Sequence, residues 1–155
     1  MPPLTSRHAL YACALALTLL VTGCGRGEEA GLERVRKALA TRDAAAARVE
    51  LKSFLQKHPT SAEGRLLLGR HLEQGADFSD AVAEYQRALD NGMARERVLP
   101  AMARAMVRAG DLGRVVSMFR EETLPDVQAQ AGLAASVALA LAARGDLRAA
   151  TEVID

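Results

Sequence analysis

The chain has 155 residues, which is enough for one domain of ordinary size. Half of its residues are hydrophobic, but only 3% are aromatic and none is Trp. The apolar content is mostly Ala, Leu and Val, which favours helices packed through small side chains over β-sheet. The formal net charge of +1 excludes a general electrostatic attraction to nucleic acid or to an anionic membrane.

Residues 1–23 have the features of a signal peptide. Residues 9–21 contain no charged side chain and follow Arg7 and His8. This run is shorter than the roughly 20 residues that a membrane-spanning helix needs, and it has the length of a signal-peptide core. We therefore leave this segment out of the prediction of the fold.

The run ends in Val21, Thr22, Gly23 and Cys24, which resembles the lipobox of bacterial lipoproteins. The resemblance implies that the Cys24 thiol carries lipid and that cleavage before Cys24 makes it the new N-terminus. Loss of the leader also removes Cys13, so Cys24 would then be the sole cysteine and could form no intramolecular disulfide. The alternatives are an ordinary secretory signal and a chance Cys after a hydrophobic run.

Gly25 follows Cys24, at a position where lipoproteins retained in the inner membrane usually carry Asp. The resemblance therefore implies a lipid anchor in the outer membrane, with the protein facing the periplasm. Two or more acyl chains give stable membrane anchoring. The next residues are small and polar, so we predict that 24–30 is the lipidated N-terminus and a short tether.

A repeated pattern follows the tether over residues 31–155. An aspartate recurs at intervals of 34, 34 and 35 residues, as Asp43, Asp77, Asp111 and Asp146. Aspartate is a preferred N-cap residue, and its charge suits the positive end of a helix. Each aspartate therefore predicts the start of a second helix in a helical hairpin.

The interval of 34 residues is the length of a tetratricopeptide repeat, and the chain resembles that family at several spaced positions. Small residues would allow paired helices to approach closely, and larger ones would fill the space to the next hairpin. The predicted structural positions are Gly69, Ala81, Tyr85, Ala88, Ala103 and Phe119.

The resemblance implies an all-α superhelical solenoid of antiparallel helix pairs, with about four repeats. The predicted repeats cover residues 28–61, 62–95, 96–130 and 131–155, the last being incomplete. A generic helical bundle is the alternative, although a bundle would not need the 34-residue interval.

Arginines recur on the predicted first helices of successive repeats. First helices line the concave groove in tetratricopeptide proteins, so these arginines are candidates for binding an acidic peptide or an acidic glycan through bidentate bonds. The alternative is that they are solvated surface residues. The candidates are Arg36, Arg70 and Arg104, which are 34 residues apart, together with Arg97 and Arg108. The fourth repeat has Leu139 at this point, so the groove is predicted to become apolar there.

The sequence contains no recognisable catalytic constellation, phosphate-binding loop or cysteine cluster. His71 and Glu73 are two residues apart, so they point to different sides of a helix and are not expected to share a metal. We therefore predict a non-enzymatic protein without metal or cofactor, and His71 is predicted to be a partly buried helix residue.

The lipobox, the short tether and the array from Gly31 to Val116 together resemble the tetratricopeptide lipoproteins of the PEP-CTERM/exosortase system. This likeness implies a membrane-tethered scaffold for proteins of the cell envelope, in exopolysaccharide production or PEP-CTERM protein sorting. Lipoproteins of pilus assembly or outer-membrane assembly are the nearest alternatives. The last residues fall inside a predicted second helix, so an enzyme encoded beyond residue 155 is a further alternative.

Overall fold

The computed structural model describes residues 22–41 and 43–154, with side chains from Gly27 onward. All the regular structure in these residues is helical. The predicted leader up to and including Val21 lies outside them, and so do the side chains of Thr22 and Cys24. The helices are α1 (Thr22–Ala40), α2 (Ala44–Lys57), α3 (Ala62–Gln74), α4 (Phe78–Asp90), α5 (Arg95–Arg108), α6 (Leu112–Phe119), α7 (Val127–Ala143) and α8 (Leu147–Glu152).

The helices of the described residues pack in a series along the chain. We call α1, α3, α5 and α7 the first helices and α2, α4, α6 and α8 the second helices, because each first helix is joined by a short turn to the second helix that follows it. Each helix contacts helices no more than two places away in this order. The predicted all-helical fold is therefore confirmed, and the core runs along the series.

Three of the turns between a first and a second helix share one hydrogen-bond pattern. In each, the main-chain N–H of the aspartate bonds to the carbonyl five residues earlier, and the residue before the aspartate has a positive φ. This is the Schellman ending of a helix, which satisfies carbonyls that have no partner within the helix. The bonds are Asp77 to Leu72 (2.9 Å), Asp111 to Met106 (2.9 Å) and Asp146 to Leu141 (3.0 Å), and the φ angles are 63° at Ala76, 82° at Gly110 and 91° at Gly145.

The four recurring aspartates are the N-caps of the second helices, which confirms that prediction. Their side chains nevertheless bond differently. Asp43 accepts from the N–H groups of Ala45 and Ala46 at 3.1 and 3.0 Å, as an N-cap normally does. Asp77 instead accepts from Arg48 of α2 at 2.7 Å, so this aspartate connects the second pair of helices to the first.

Helix α1 begins earlier than the sequence indicated. The predicted tether at 24–30 lies within α1, which runs from Thr22 to Ala40. Likewise α7 begins at Val127, four residues before the predicted start of the fourth repeat at 131. In both places the first residues of the helix were not predicted to be helical. The apolar periodicity that indicates a helix begins further along the chain.

The six predicted structural positions are all buried. Tyr85, Ala81, Ala88 and Ala103 have no exposed surface, and Phe119 is 4% exposed. A Cβ placed on Gly69 would lie 2.6 Å from Cε1 of Tyr85, so α3 and α4 can approach this closely because residue 69 has no side chain.

A second close approach was not predicted. Phe54 of α2 is 3% exposed and lies between two glycines of neighbouring first helices. A Cβ would come within 2.7 Å of its ring at Gly31 and within 2.5 Å at Gly64. One aromatic ring therefore fixes the spacing of the first and second pairs of helices.

The fourth pair packs differently from the others. Helix α6 is shorter than α2 and α4, and α7 lies mainly against α5 rather than α6. Gly132 of α7 faces Pro100 of α5, where an added Cβ would be 3.4 Å from the Cβ of the proline. Ala149 and Ala150 of α8 are 6% and 8% exposed and belong to the core.

Candidate ligand-binding site on the first helices

The five arginines that the sequence analysis named as binding candidates have different surroundings. Arg36 of α1 bonds to acidic side chains of its own helix, at 2.9 Å to Glu29 and 3.9 Å to Glu33. The hydrogen bond to Glu29 raises the pKa of Arg36; burial opposes this effect, and the charges of nearby carboxylates add to it. This arginine is exposed to solvent and belongs to an ion-pair cluster on α1.

Two other arginines connect neighbouring first helices. Arg97 of α5 lies 2.8 Å from a carboxylate oxygen of Glu63 on α3. Further along the same two helices, Arg104 makes a bidentate pair with Glu73, at 2.7 and 3.0 Å. Exposed pairs such as the first contribute about 0–1 kcal/mol, whereas a two-bond pair with a buried carboxylate also fixes orientation.

Glu73 is held by two hydrogen-bond donors, because the hydroxyl of Tyr85 also donates to it at 2.8 Å. Burial alone would raise the pKa of Glu73, but the bonds from Arg104 and Tyr85 and the charges of Arg104 and Arg108 together lower it below its ordinary value. Burial and the Glu73 bond raise the pKa of Tyr85, and the Glu73 bond raises that of Arg104. The carboxylate is therefore charged and fixed in place, and it orients the Arg104 guanidinium.

A depression of 290 Å³ lies beside Glu73 and Arg104, between the C-terminal halves of α3 and α5. We call it the basic depression, because three guanidinium groups and one carboxylate surround it. It is lined by Arg70, Glu73, Gln74, Arg104 and Arg108. The structure thus brings together three of the five predicted arginines, and it places Arg36 and Arg97 outside the lining.

Arg70 and Arg108 form no ion pair with any other residue that the structure describes. The guanidinium carbon of Arg108 lies 5.7 Å from the centre of the Phe78 ring, a distance at which a cation and an aromatic face attract each other. Contact with an aromatic face leaves the N–H groups at the edge of the guanidinium plane able to donate. Arg70 and Arg108 therefore offer unused donors at the basic depression.

The arrangement is suited to binding an anion, since positive charge is in excess and one arginine is already oriented by Glu73. A carboxylate could bond to Arg70 or Arg108 in the two-bond manner that guanidinium groups favour. In the described residues, no group of three or more His, Cys, Asp or Glu side chains is placed to hold a metal ion. No helix among them has the length and hydropathy of a membrane span.

The surface changes character at the fourth first helix. Leu139 of α7 is 58% exposed, Ala135 is exposed and Ala142 is partly buried. Positive charge therefore gives way to apolar side chains along the series, and this residue pattern was predicted.

Two residues of the basic depression were not predicted. Glu73 was considered only as a partner of His71 in a metal site, and Gln74 was not considered. Glu73 and Arg104 are 31 residues apart, so their pairing does not follow the repeat interval. Arg97 and Glu63 are 34 residues apart, so their pairing could have been found from acidic residues one repeat before each arginine.

No protein-family model matches the sequence, and a comparison with curated proteins gives no significant match. The fold and the site therefore define a coarse class of protein. It is an all-helical protein built of consecutively packed helices, with an arginine-lined depression between two of its first helices.

Proposed function

We propose that this chain is a tetratricopeptide-type scaffold of the bacterial cell envelope, anchored through an acylated Cys24, and that the basic depression binds acidic segments of partner proteins. One observation carries the proposal. Arg70 and Arg108 have no ionic partner among the described residues, and they lie beside Arg104, whose guanidinium is oriented by Glu73. The pathway that we propose is exopolysaccharide production or PEP-CTERM protein sorting, on the resemblance of the sequence alone.

The tetratricopeptide assignment is supported by the recurrence of whole turns. The aspartate N-caps are spaced by 34, 34 and 35 residues, and three of the four turns also share the Schellman bonds and a positive φ. Repeated turns at one interval join the first and second helices of three pairs in the same way. A generic bundle would have no reason to repeat them.

Binding of a protein segment is supported by the size and charge of the depression. The volume of 290 Å³ is near the lower end of the roughly 300–1,000 Å³ of small-ligand sites, and it has room for one or two side chains. Charge-assisted bonds to carboxylates are stronger than bonds between neutral groups. An acidic peptide is therefore the ligand that we propose, and an acidic glycan is tested as the competing ligand.

Binding can be measured by fluorescence anisotropy with a fluorescein-labelled hexaglutamate and the full-length chain in detergent. Replacing Arg70 and Arg108 with Gln should weaken binding about tenfold, since loss of charge-assisted bonds of roughly 1.5 kcal/mol corresponds to that factor. The matched control replaces Arg34 and Arg36 with Gln, which removes the same charge from α1. Equal weakening in both variants, or none in either, would contradict the proposal. Tighter binding of polyglucuronate would favour the glycan instead.

The anchor has a separate test. The wild-type chain should incorporate labelled palmitate in bacteria, and the Cys24→Ala variant should not. A crosslinked pull-down from solubilised membranes would then name the pathway through the proteins that wild type captures and the Arg70→Gln/Arg108→Gln variant loses. Labelling that persists in the Cys24→Ala variant would refute the anchor.

A further inference from the structure

A second depression lies at the junction of the first and second pairs of helices. It has a volume of 330 Å³, and we call it the His71 pocket. A smaller cavity of 100 Å³ adjoins it, shares His71, Gln74 and Ala44 with it, and reaches Leu39 and Ala47. The His71 pocket is lined by Ala44, Ala45, Arg48, His71, Gln74 and Gly75.

The charges at the rim of the His71 pocket are balanced. Arg48 is the sole charged residue of its lining, and its guanidinium is paired with Asp77 at 2.7 Å. Three of its six lining residues are Ala44, Ala45 and Gly75. The pocket therefore suits an uncharged, mainly apolar group, unlike the basic depression beside it.

His71 provides a polar atom at the base of this pocket. Its side chain is 6% exposed and forms no hydrogen bond with another described residue. No nitrogen or oxygen of a described side chain is both enclosed and unbonded, so the ring nitrogens of His71, which lines the pocket, are accessible. A group that enters the pocket can therefore form a hydrogen bond to His71.

Gln74 connects the two depressions, because it lines both the His71 pocket and the basic depression. Its amide can donate and accept at the same time. A peptide backbone that crosses from one depression to the other carries an N–H and a C=O that both need partners. Gln74 can bond to both groups, and His71 can bond to one more.

We infer that the ligand of the basic depression is a peptide that carries an aliphatic side chain within one or two residues of an acidic one. The acidic side chain bonds to Arg70 and Arg108, the backbone crosses Gln74, and the aliphatic side chain enters the His71 pocket. This inference rests on the proposed function and specifies its ligand. The two depressions share a residue, which is why the two side chains must be close in sequence.

The inference can be tested with two fluorescein-labelled peptides of equal charge and length. One has Leu between two runs of three Glu, and the other has Asn, which is similar in shape but polar, at that position. The full-length chain should bind the Leu peptide about tenfold more tightly, because burial of a Leu side chain contributes at least that factor. Ala45 is exposed and lines the pocket, so the Ala45→Phe variant fills the pocket from outside the core.

In the Ala45→Phe variant the preference for the Leu peptide should disappear, while binding of the Asn peptide stays unchanged. The matched control is Ala46→Phe, the next residue of α2, which is exposed and does not line the pocket. Equal binding of the two peptides, or a Leu preference that survives in Ala45→Phe, would overturn this inference and leave the proposed function intact. Absence of binding by both peptides would overturn both.

Discussion

The close contact between Gly69 and Tyr85 predicts how a side chain added at residue 69 changes the stability of the fold. An added Cβ in Gly69→Ala would lie 2.6 and 2.7 Å from Cε1 and Cδ1 of Tyr85. The ring has no exposed surface, and its hydroxyl is bonded to Glu73, so it cannot move aside without losing that bond. Overpacking costs about 1–3 kcal/mol, and the helix preference for Ala over Gly returns about 1 kcal/mol.

We therefore expect Gly69→Ala to lower the free energy of unfolding by up to about 2 kcal/mol. Gly132→Ala is the matched control, because it also changes a glycine inside a first helix, and its new Cβ would have ordinary contact at 3.4 Å from Pro100. That variant should gain up to about 1 kcal/mol from helix preference.

Thermal unfolding followed by far-UV circular dichroism would show the two variants shifting in opposite directions, by roughly 4 °C for each kcal/mol. The Tyr85→Leu substitution removes the ring. In that background Gly69→Ala should lower the free energy of unfolding much less than it does in wild type, so the effects of the two substitutions are not additive. The reasoning is refuted if Gly69→Ala is more stable than wild type, or if its cost in free energy is unchanged without the ring.

Two further predictions concern a turn and a carboxylate. Ala76 has a φ of 63° where the equivalent turns have Gly110 and Gly145; Ala76→Gly should raise the free energy of unfolding by about 0.5–1 kcal/mol, because relief of left-handed strain exceeds the added unfolded-state entropy. Gly110→Ala should have the opposite effect in the same urea titration, and two shifts of the same sign would be inconsistent with this reasoning. The pKa of Glu73 is lowered in the folded state, so its contribution to stability is present above its unfolded pKa and is lost as the pH falls through its folded pKa. Glu73→Gln should therefore lose less stability than wild type between about pH 5 and pH 3, and parallel pH profiles in urea unfolding would rule this out.

The sequence predicted the parts of this molecule that local chemistry determines. The four recurring aspartates stand at the N-cap positions as expected, and the side chains of Asp43 and Asp146 accept hydrogen bonds from the first turns of their helices. The composition also indicated helices packed through small residues, and the structure has them. These features depend on residues close together in the chain.

The features that sequence reasoning missed depend on how helices pack. Phe54 between Gly31 and Gly64 joins residues of three helices, and no local signal marks such a contact. The pairing of Glu73 with Arg104 depends on the rotation of α3 against α5, which the repeat interval alone does not give. The sequence therefore predicted one row of five arginines. In the structure Arg36 and Arg97 form ion pairs elsewhere, and the other three line the basic depression.

The series packing of the helices has a mechanical consequence. Each described helix contacts helices no more than two places away, so tension applied to the two ends passes through every junction in turn. Such a chain yields one pair at a time at its weakest junction, and the remaining pairs keep their shape. Each pair of about 34 residues adds roughly 110 Å of length when it unravels. Under load we therefore expect the described helices to lengthen in steps rather than all at once.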